Sequence, residues 1–122
     1  MSNKDPAIRV TLLPKDTNAN GTIFGGIILS YIDLAAAIEV GKTTSQRAVT
    51  KAIKEVVFKA PVHVGEVLSF YTSTKAIGKT SITVEVDVAV LRGRKEIPVT
   101  EADVTYVCIN DKCQPEAVRR ES

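Results

Sequence analysis

The segment following Gly25-Gly26 limits most strongly what this chain can fold into. From Ile27 to Val40 only Ser30, Asp33 and Glu39 interrupt a run of Ile, Leu, Tyr, Ala and Val. Gly41 follows the last apolar residue, a usual place for a helix to stop. The spacing predicts a helix over 25–40, about 24 Å long at ~1.5 Å per residue. At that period the apolar side chains fall on every side of the rod. A surface helix would carry a polar face, so this one must be enclosed by other parts of the molecule. A membrane span is excluded, because the run falls short of ~20 residues and carries two carboxylates.

The enclosing material is strand. Thr80–Leu91 puts Ile82, Val84, Val86, Val88 and Val90 on one face and Ser81, Thr83, Glu85, Asp87 and Ala89 on the other. Such strict alternation marks a half-buried strand. Thr100–Ile109 alternates in the same way. Val67–Ile77, Ala48–Phe58 and the short Arg9–Leu13 complete the set, with Pro14 and Pro61 ending two of them. Turns are expected at 77–80 and 92–95, and Val64-Gly65-Glu66 is expected to turn the Ala48–Phe58 strand into the one starting at Val67. Near-sequential strands with short turns make an antiparallel sheet. Strands of about 33 Å twist, and a twisted sheet can curl around a helix of this length. The expected class is α+β: one helix, one sheet, a single domain over 1–122, with 1–7 and 114–122 as frayed ends.

The chain has 122 residues, 44% hydrophobic and 25% charged, with a formal charge of +2. So small an excess of positive charge does not describe a general nucleic-acid binder. One His and two Cys exclude a zinc finger and any histidine-rich metal site. The polar N-terminal residues show no secretory signal, so a cytoplasmic protein is expected, with Cys108 and Cys113 reduced. Cys108 reads as a small core side chain and Cys113 as part of a turn.

Asp33 is the sharpest chemical feature. It lies well inside the apolar helix, where a carboxylate has no capping role, and burial without partners is costly. Either backbone or Ser30 satisfies it, or it serves as a base or nucleophile in an apolar cleft. Gly25-Gly26 opens the helix; it is either a tight turn or a place where exposed N–H groups meet a developing oxyanion. Asn18 belongs to the turn-forming run Asp16–Gly21. Arg92, Arg94, Lys95 and Lys79 are turn residues that either face solvent or clamp phosphate. His63 reads as structural. No phosphate-loop or dinucleotide fingerprint is present.

These residues carry a resemblance. Asp16-Thr-Asn-Ala-Asn-Gly-Thr-Ile-Phe-Gly-Gly-Ile-Ile-Leu-Ser-Tyr-Ile-Asp33 resembles the signature of hotdog-fold acyl-CoA thioesterases, in the YciA-like branch. Phe58-Lys-Ala-Pro-Val-His-Val-Gly-Glu66 and Gly78-Lys-Thr-Ser81 resemble later blocks of that family, so the likeness spans residues 8–110. It implies the hotdog fold, a long sheet around one central helix, and hydrolysis of acyl-CoA to a carboxylic acid and coenzyme A. Asp33 then matches the catalytic carboxylate, as base or nucleophile, and Asn18 its partner. Gly25 and Gly26 match the segment that polarises the thioester carbonyl. Phe24 stands where many relatives have His, and Glu66 replaces an Asp. Thr80 and Ser81 match a block bordering the coenzyme A site, and Arg92, Arg94 and Lys95 are candidates for its phosphates. No metal or other cofactor is implied, since coenzyme A is part of substrate and product. The resemblance also implies self-association as a dimer, further as a trimer of dimers, with no nucleic-acid or membrane partner. Asn18 precedes the helix and Asp33 lies deep in it, so the site is expected to be built by two subunits. The alternatives are a non-catalytic acyl-CoA-binding hotdog protein and an acyl-thioester dehydratase, which would need a catalytic His.

Overall fold

The computed structural model describes residues 5–121. Helix α1 runs Gly25–Thr43, three residues past the expected end. Gly41 keeps helical backbone, and the chain turns extended only at Thr44, whose N–H still bonds the Val40 carbonyl at 3.1 Å. The extra turn is held by the C-terminal segment. Glu121 N–H donates to the Thr43 carbonyl at 2.6 Å, and the Glu121 carboxylate accepts from the Ser45 N–H at 2.9 Å. The end expected to fray is therefore docked across residues 114–121. Glu116 N–H bonds the Cys108 carbonyl, Val118 N–H bonds the Lys79 carbonyl, and Gln46 Nε2 donates to the Ala117 carbonyl. Backbone partners outweigh the polar composition that suggested disorder. At the other end Ala7 N–H bonds Phe70, while residues 1–4 lie outside the described part.

Five strands follow the periodicity: β1 (Ile8–Thr11), β2 (Ala48–Phe58), β3 (Val67–Ile77), β4 (Ser81–Arg92) and β5 (Lys95–Cys108). They form one sheet in the order β1-β3-β4-β5-β2, every neighbouring pair antiparallel. This is the hotdog architecture. β5 starts at Lys95 rather than Thr100, because Arg92 pairs with Lys95 across a tight hairpin with Gly93 at φ +63°. Pro98 is tolerated because a register shift beside it, between Val88 and Ala89, relieves the ladder. β2 and β3 are not neighbours, contrary to the sequence reading. The segment between them crosses the end of the sheet, where Val62 is buried and its carbonyl accepts from Ile23 N–H at 2.8 Å. β2 thus lies at the edge beside β5, with its outer side unpaired among the described residues.

One face of the sheet packs on α1. Ile82, Val84, Val86, Val88, Val104 and Tyr106 meet Ile28, Ile32, Ala35, Ala36 and Val40 in a single core. The other side of the rod is open: Leu34 is 55% and Ile38 45% exposed. Ile32 is fully buried at the centre. Ile32→Ala should lower unfolding stability by about 2–5 kcal/mol, read from the denaturant midpoint, since the packed sheet cannot collapse into the gap.

Candidate active site

Asp33 lies on the flank of α1 that faces the β2–β5 pair. Thr50 of β2 and Tyr106 of β5 are direct cross-strand partners. Their hydroxyls therefore arrive side by side. Thr50 Oγ1 donates to Asp33 Oδ1 at 2.7 Å, and the Tyr106 hydroxyl reaches the same oxygen at 2.6 Å. The phenol is also 2.6 Å from the main-chain carbonyl of Asp33. Oδ2 accepts no hydrogen bond among the described residues. Asp33 is half-buried and Thr50 exposed, so the carboxylate stands at a rim rather than in a sealed interior. Ser30 does not serve it; its hydroxyl donates to the Ile27 carbonyl at 2.7 Å. Burial, and then the adjacent Asp33 carboxylate, push the Tyr106 phenol up to about 12. Tyr106 is therefore a protonated donor across the working pH range.

The helix start is prepared differently. Phe24 occupies the capping position and offers no side-chain acceptor. The first N–H groups of a helix have no partner within it, and those of Gly25 and Gly26 find no other among the described residues. Both glycines sit close beneath aromatic rings. A Cβ on Gly26 would come within 2.6 Å of the Phe24 ring, and one on Gly25 within 3.3 Å of Phe58. Beside Gly25 lies a cavity of about 360 Å³ lined by Ile23, Ile28, Phe58, Lys59, Ala60, Pro61 and Val62. It offers apolar walls next to open backbone donors, the combination that suits a carbonyl with a hydrocarbon substituent. Main-chain bonds from Ile23 to Val62 and from Phe24 to the carbonyl of buried Asp16 hold this entry in place.

Other expected site residues are spread out. Asn18 is committed to its own loop: Oδ1 accepts from the N–H groups of Asn20 and Thr22, and Nδ2 donates to Thr22 Oγ1. Thr80 and Ser81 stand at one end of β4, and Arg92, Arg94 and Lys95 at the other, about 37 Å away at ~3.4 Å per residue. One chain does not bring these two groups together. Arg92 is not a free phosphate clamp. Its Nε and one terminal nitrogen hold the two Glu66 oxygens at 2.6 and 3.0 Å, and it also reaches the Pro61 carbonyl. Arg94 and Lys95 are exposed and form no ion pair among the described residues. His63 is exposed, and its main-chain N–H donates to Glu66 at 2.9 Å, a structural role. Cys108 is buried and Cys113 exposed in a turn. No described helix is long and apolar enough to cross a membrane.

The sequence reading missed Thr50 and Tyr106. Thr50 looked like one of many strand hydroxyls. Tyr106 did carry a signal, because a tyrosine on the core face of a strand needs a partner for its hydroxyl.

A family model described as the thioesterase superfamily matches residues 20–97. The acyl-CoA thioester hydrolase YciA of Escherichia coli is 34% identical over 119 residues, covering 93% of this chain and 90% of its own length. A hexameric hotdog-fold thioesterase of Campylobacter jejuni superposes with a TM-score of 0.89 at 40% identity, covering 95% of this chain and 91% of that one. An acyl-CoA hydrolase of Staphylococcus aureus, solved with butyryl coenzyme A and coenzyme A, gives a TM-score of 0.86 at 27% identity, covering 93% and 70%. That enzyme has also been solved with an asparagine and an aspartate, fifteen positions apart, each changed to alanine. This chain belongs to the thioesterase superfamily with the hotdog fold, in the branch that resembles YciA.

The Arg92–Glu66 pair gives a test at the cavity end. The Arg92 guanidinium holds the Glu66 carboxyl below its usual value of 4.5. A carboxyl whose value is lowered on folding stabilises the native state above its unfolded value and loses that contribution as the pH falls through the folded one. Glu66→Gln should therefore flatten the fall of thermal midpoint below about pH 4.5. A slope equal to that of wild type would remove Glu66 from the acid transition.

Proposed function

We propose that Asp33 drives hydrolysis of acyl-CoA thioesters, with the glycine pair at a helix start receiving the oxyanion. The chain is an acyl-CoA thioester hydrolase, in keeping with its family and with the names of its relatives. The observation that carries the reading is the asymmetric carboxylate. Two hydroxyls hold Oδ1 of Asp33, and Oδ2 is open at the rim. As general base, Oδ2 takes a proton from water while the water oxygen adds to the thioester carbonyl carbon. The carbonyl oxygen gains negative charge and meets the free N–H groups of Gly25 and Gly26. Collapse of this intermediate breaks the carbon–sulfur bond, the leaving sulfur takes the proton back from Oδ2, and the coenzyme A thiol and the acid are released. In direct attack Oδ2 bonds to the carbonyl carbon as the carbon–sulfur bond breaks, and the expelled thiolate takes a proton from the water that then hydrolyses the mixed anhydride to the acid and free Asp33. The spacing of Asn18 and Asp33 is also fifteen residues, equal to that of the pair altered in the Staphylococcus enzyme. The loop bonds use Oδ1 and one Nδ2 hydrogen of Asn18, and the second Nδ2 hydrogen is accordingly assigned to hold the water or the carbonyl.

One chain does not complete this arrangement. Gly25 and Asp33 are about 12 Å apart along the helix axis, too far for one reacting carbonyl to touch both. The base of one copy and the helix start of another must meet. Two features favour such a pairing: the unpaired edge of β2 and the exposed Leu34–Ile38 stripe. The assembly is a dimer joined along these surfaces, extended to a hexamer as in the Campylobacter protein. Arg94 and Lys95 are the free cations for coenzyme A phosphates, with Thr80 and Ser81 supplied from another chain.

The test follows thiol release from acyl-CoA. Asp33→Asn keeps the shape of the side chain but should lower the rate at least ~10²-fold. A variant as fast as an active wild type would sink the assignment of Asp33, whereas a wild type that binds acyl-CoA and releases no thiol would favour a binding protein without catalysis.

A further inference from the structure

Tyr106 supplies one of the two hydroxyl donors on Asp33 and is the more deeply buried residue of the pair. It is 5% exposed and sits 2.6 Å from both Oδ1 and the main-chain carbonyl of the same residue. A phenol has one hydrogen, so it serves one of these acceptors at a time. While Asp33 is ionised, the charged oxygen is the stronger acceptor and the hydrogen points to Oδ1. Once Asp33 has taken a proton on Oδ2, Oδ1 becomes a weaker acceptor. The hydrogen can then turn to the main-chain carbonyl without movement of any heavy atom. In neither state is a buried hydroxyl left unpaired, which would cost the desolvation of that group.

We propose that Tyr106 is a positioning residue for the reaction: it holds Oδ1, leaves Oδ2 as the reacting oxygen, and keeps a partner in both protonation states of Asp33. This rests on the reading of Asp33 as the catalytic carboxylate. Thr50 holds the same oxygen from the exposed side and has no second acceptor on Asp33, so it fixes direction without following the proton. The surroundings suit this role. The titratable group facing the phenol is Asp33 of α1, and Thr50 of β2 is neutral. The cavity of about 270 Å³ that Tyr106 helps to line carries no other titratable side chain; its other polar members are Thr44, Ser45 and Gln46.

The experiment compares wild type, Tyr106→Phe, Asp33→Asn and the double variant, with butyryl-CoA as substrate and thiol release as readout. Tyr106→Phe should lower kcat about 10-fold to 100-fold with KM unchanged, the range for one hydrogen bond to a charged group. In the Asp33→Asn background the same change should cost nothing further, since Tyr106 acts through that carboxylate. Equal losses in both backgrounds, or a change confined to KM, would overturn the proposal. If Asp33→Asn itself keeps its rate, the catalytic reading of Asp33 fails instead, and the two failures are thereby told apart. A polyfluorinated tyrosine placed at 106 keeps the ring and tests the donor should Tyr106→Phe not fold. Its more acidic phenol loses its hydrogen at alkaline pH, so kcat should acquire a basic limb that wild type lacks. An alkaline profile matching wild type would also overturn the proposal.

Discussion

Everything in this molecule follows from burying a helix that has no polar face. A flat sheet touches a rod along one line only. Strands of eleven to fourteen residues twist enough to curl around more of it, which is why β2 to β5 are so long. Even so, one sheet covers only one side. Ile28, Ile32, Ala35, Ala36 and Val40 are buried, while Leu34 and Ile38 lie open. The same geometry leaves β2 as an edge whose outer N–H and C=O groups are unpaired among the described residues. Both deficits fall next to each other, since Ala37 of α1 shares a cavity with Ala48 of β2. A second copy placed there would relieve both.

The carboxylate sits on this boundary. Had Asp33 faced Ile82 or Val84, no water could reach it and ionisation would be opposed by burial. Had it faced outward, a water would hold no fixed position against it. Flanked by Thr50 and Tyr106, it has one oxygen held and one free. Glu39 shows the contrasting outcome on the same helix. Its two oxygens accept from Thr72 and Thr74 of β3, and Lys42 lies 3.5 Å away. With both oxygens engaged it lacks the fully open oxygen that Asp33 keeps, and it serves to join α1 to the sheet.

Much of this was legible in the sequence, for identifiable reasons. Alternation along β4 and the all-apolar rod are local patterns, so helix, strands and the isolated Asp33 could be read directly. The family signature added the expected roles of Asn18 and the glycine pair. What escaped depends on partners distant in sequence. The turn expected at Val64-Gly65-Glu66 is present, with Gly65 at φ +86° and Glu66 N–H bonded to the His63 carbonyl. The strand order could not be read, because the buried Val62 before that turn bonds Ile23 and carries the chain across the end of the sheet. The docked C-terminus escaped because its bonds run to Thr43, Ser45 and Lys79, far back along the chain. Arg92 looked free because Glu66, its partner, lies 26 positions earlier. Thr50 and Tyr106 become neighbours only through the β2–β5 register, which no local pattern states.

The separation of Asp33 from Gly25 has its own logic. A carboxylate within the first turn would cap the helix that carries it. The N–H groups and the anion would then satisfy each other, and neither could act on a substrate. Eight residues of rigid helix prevent that collapse. They keep a basic oxygen and a pair of backbone donors apart, each short of a partner. Only a polar group entering between two copies can serve both at once, and a thioester undergoing attack by water presents such a pair: a proton to be taken and an oxygen gaining charge. In the two-protomer site proposed above, an uncapped helix start and a half-held carboxylate, each costly alone, would together make one environment complementary to the transition state.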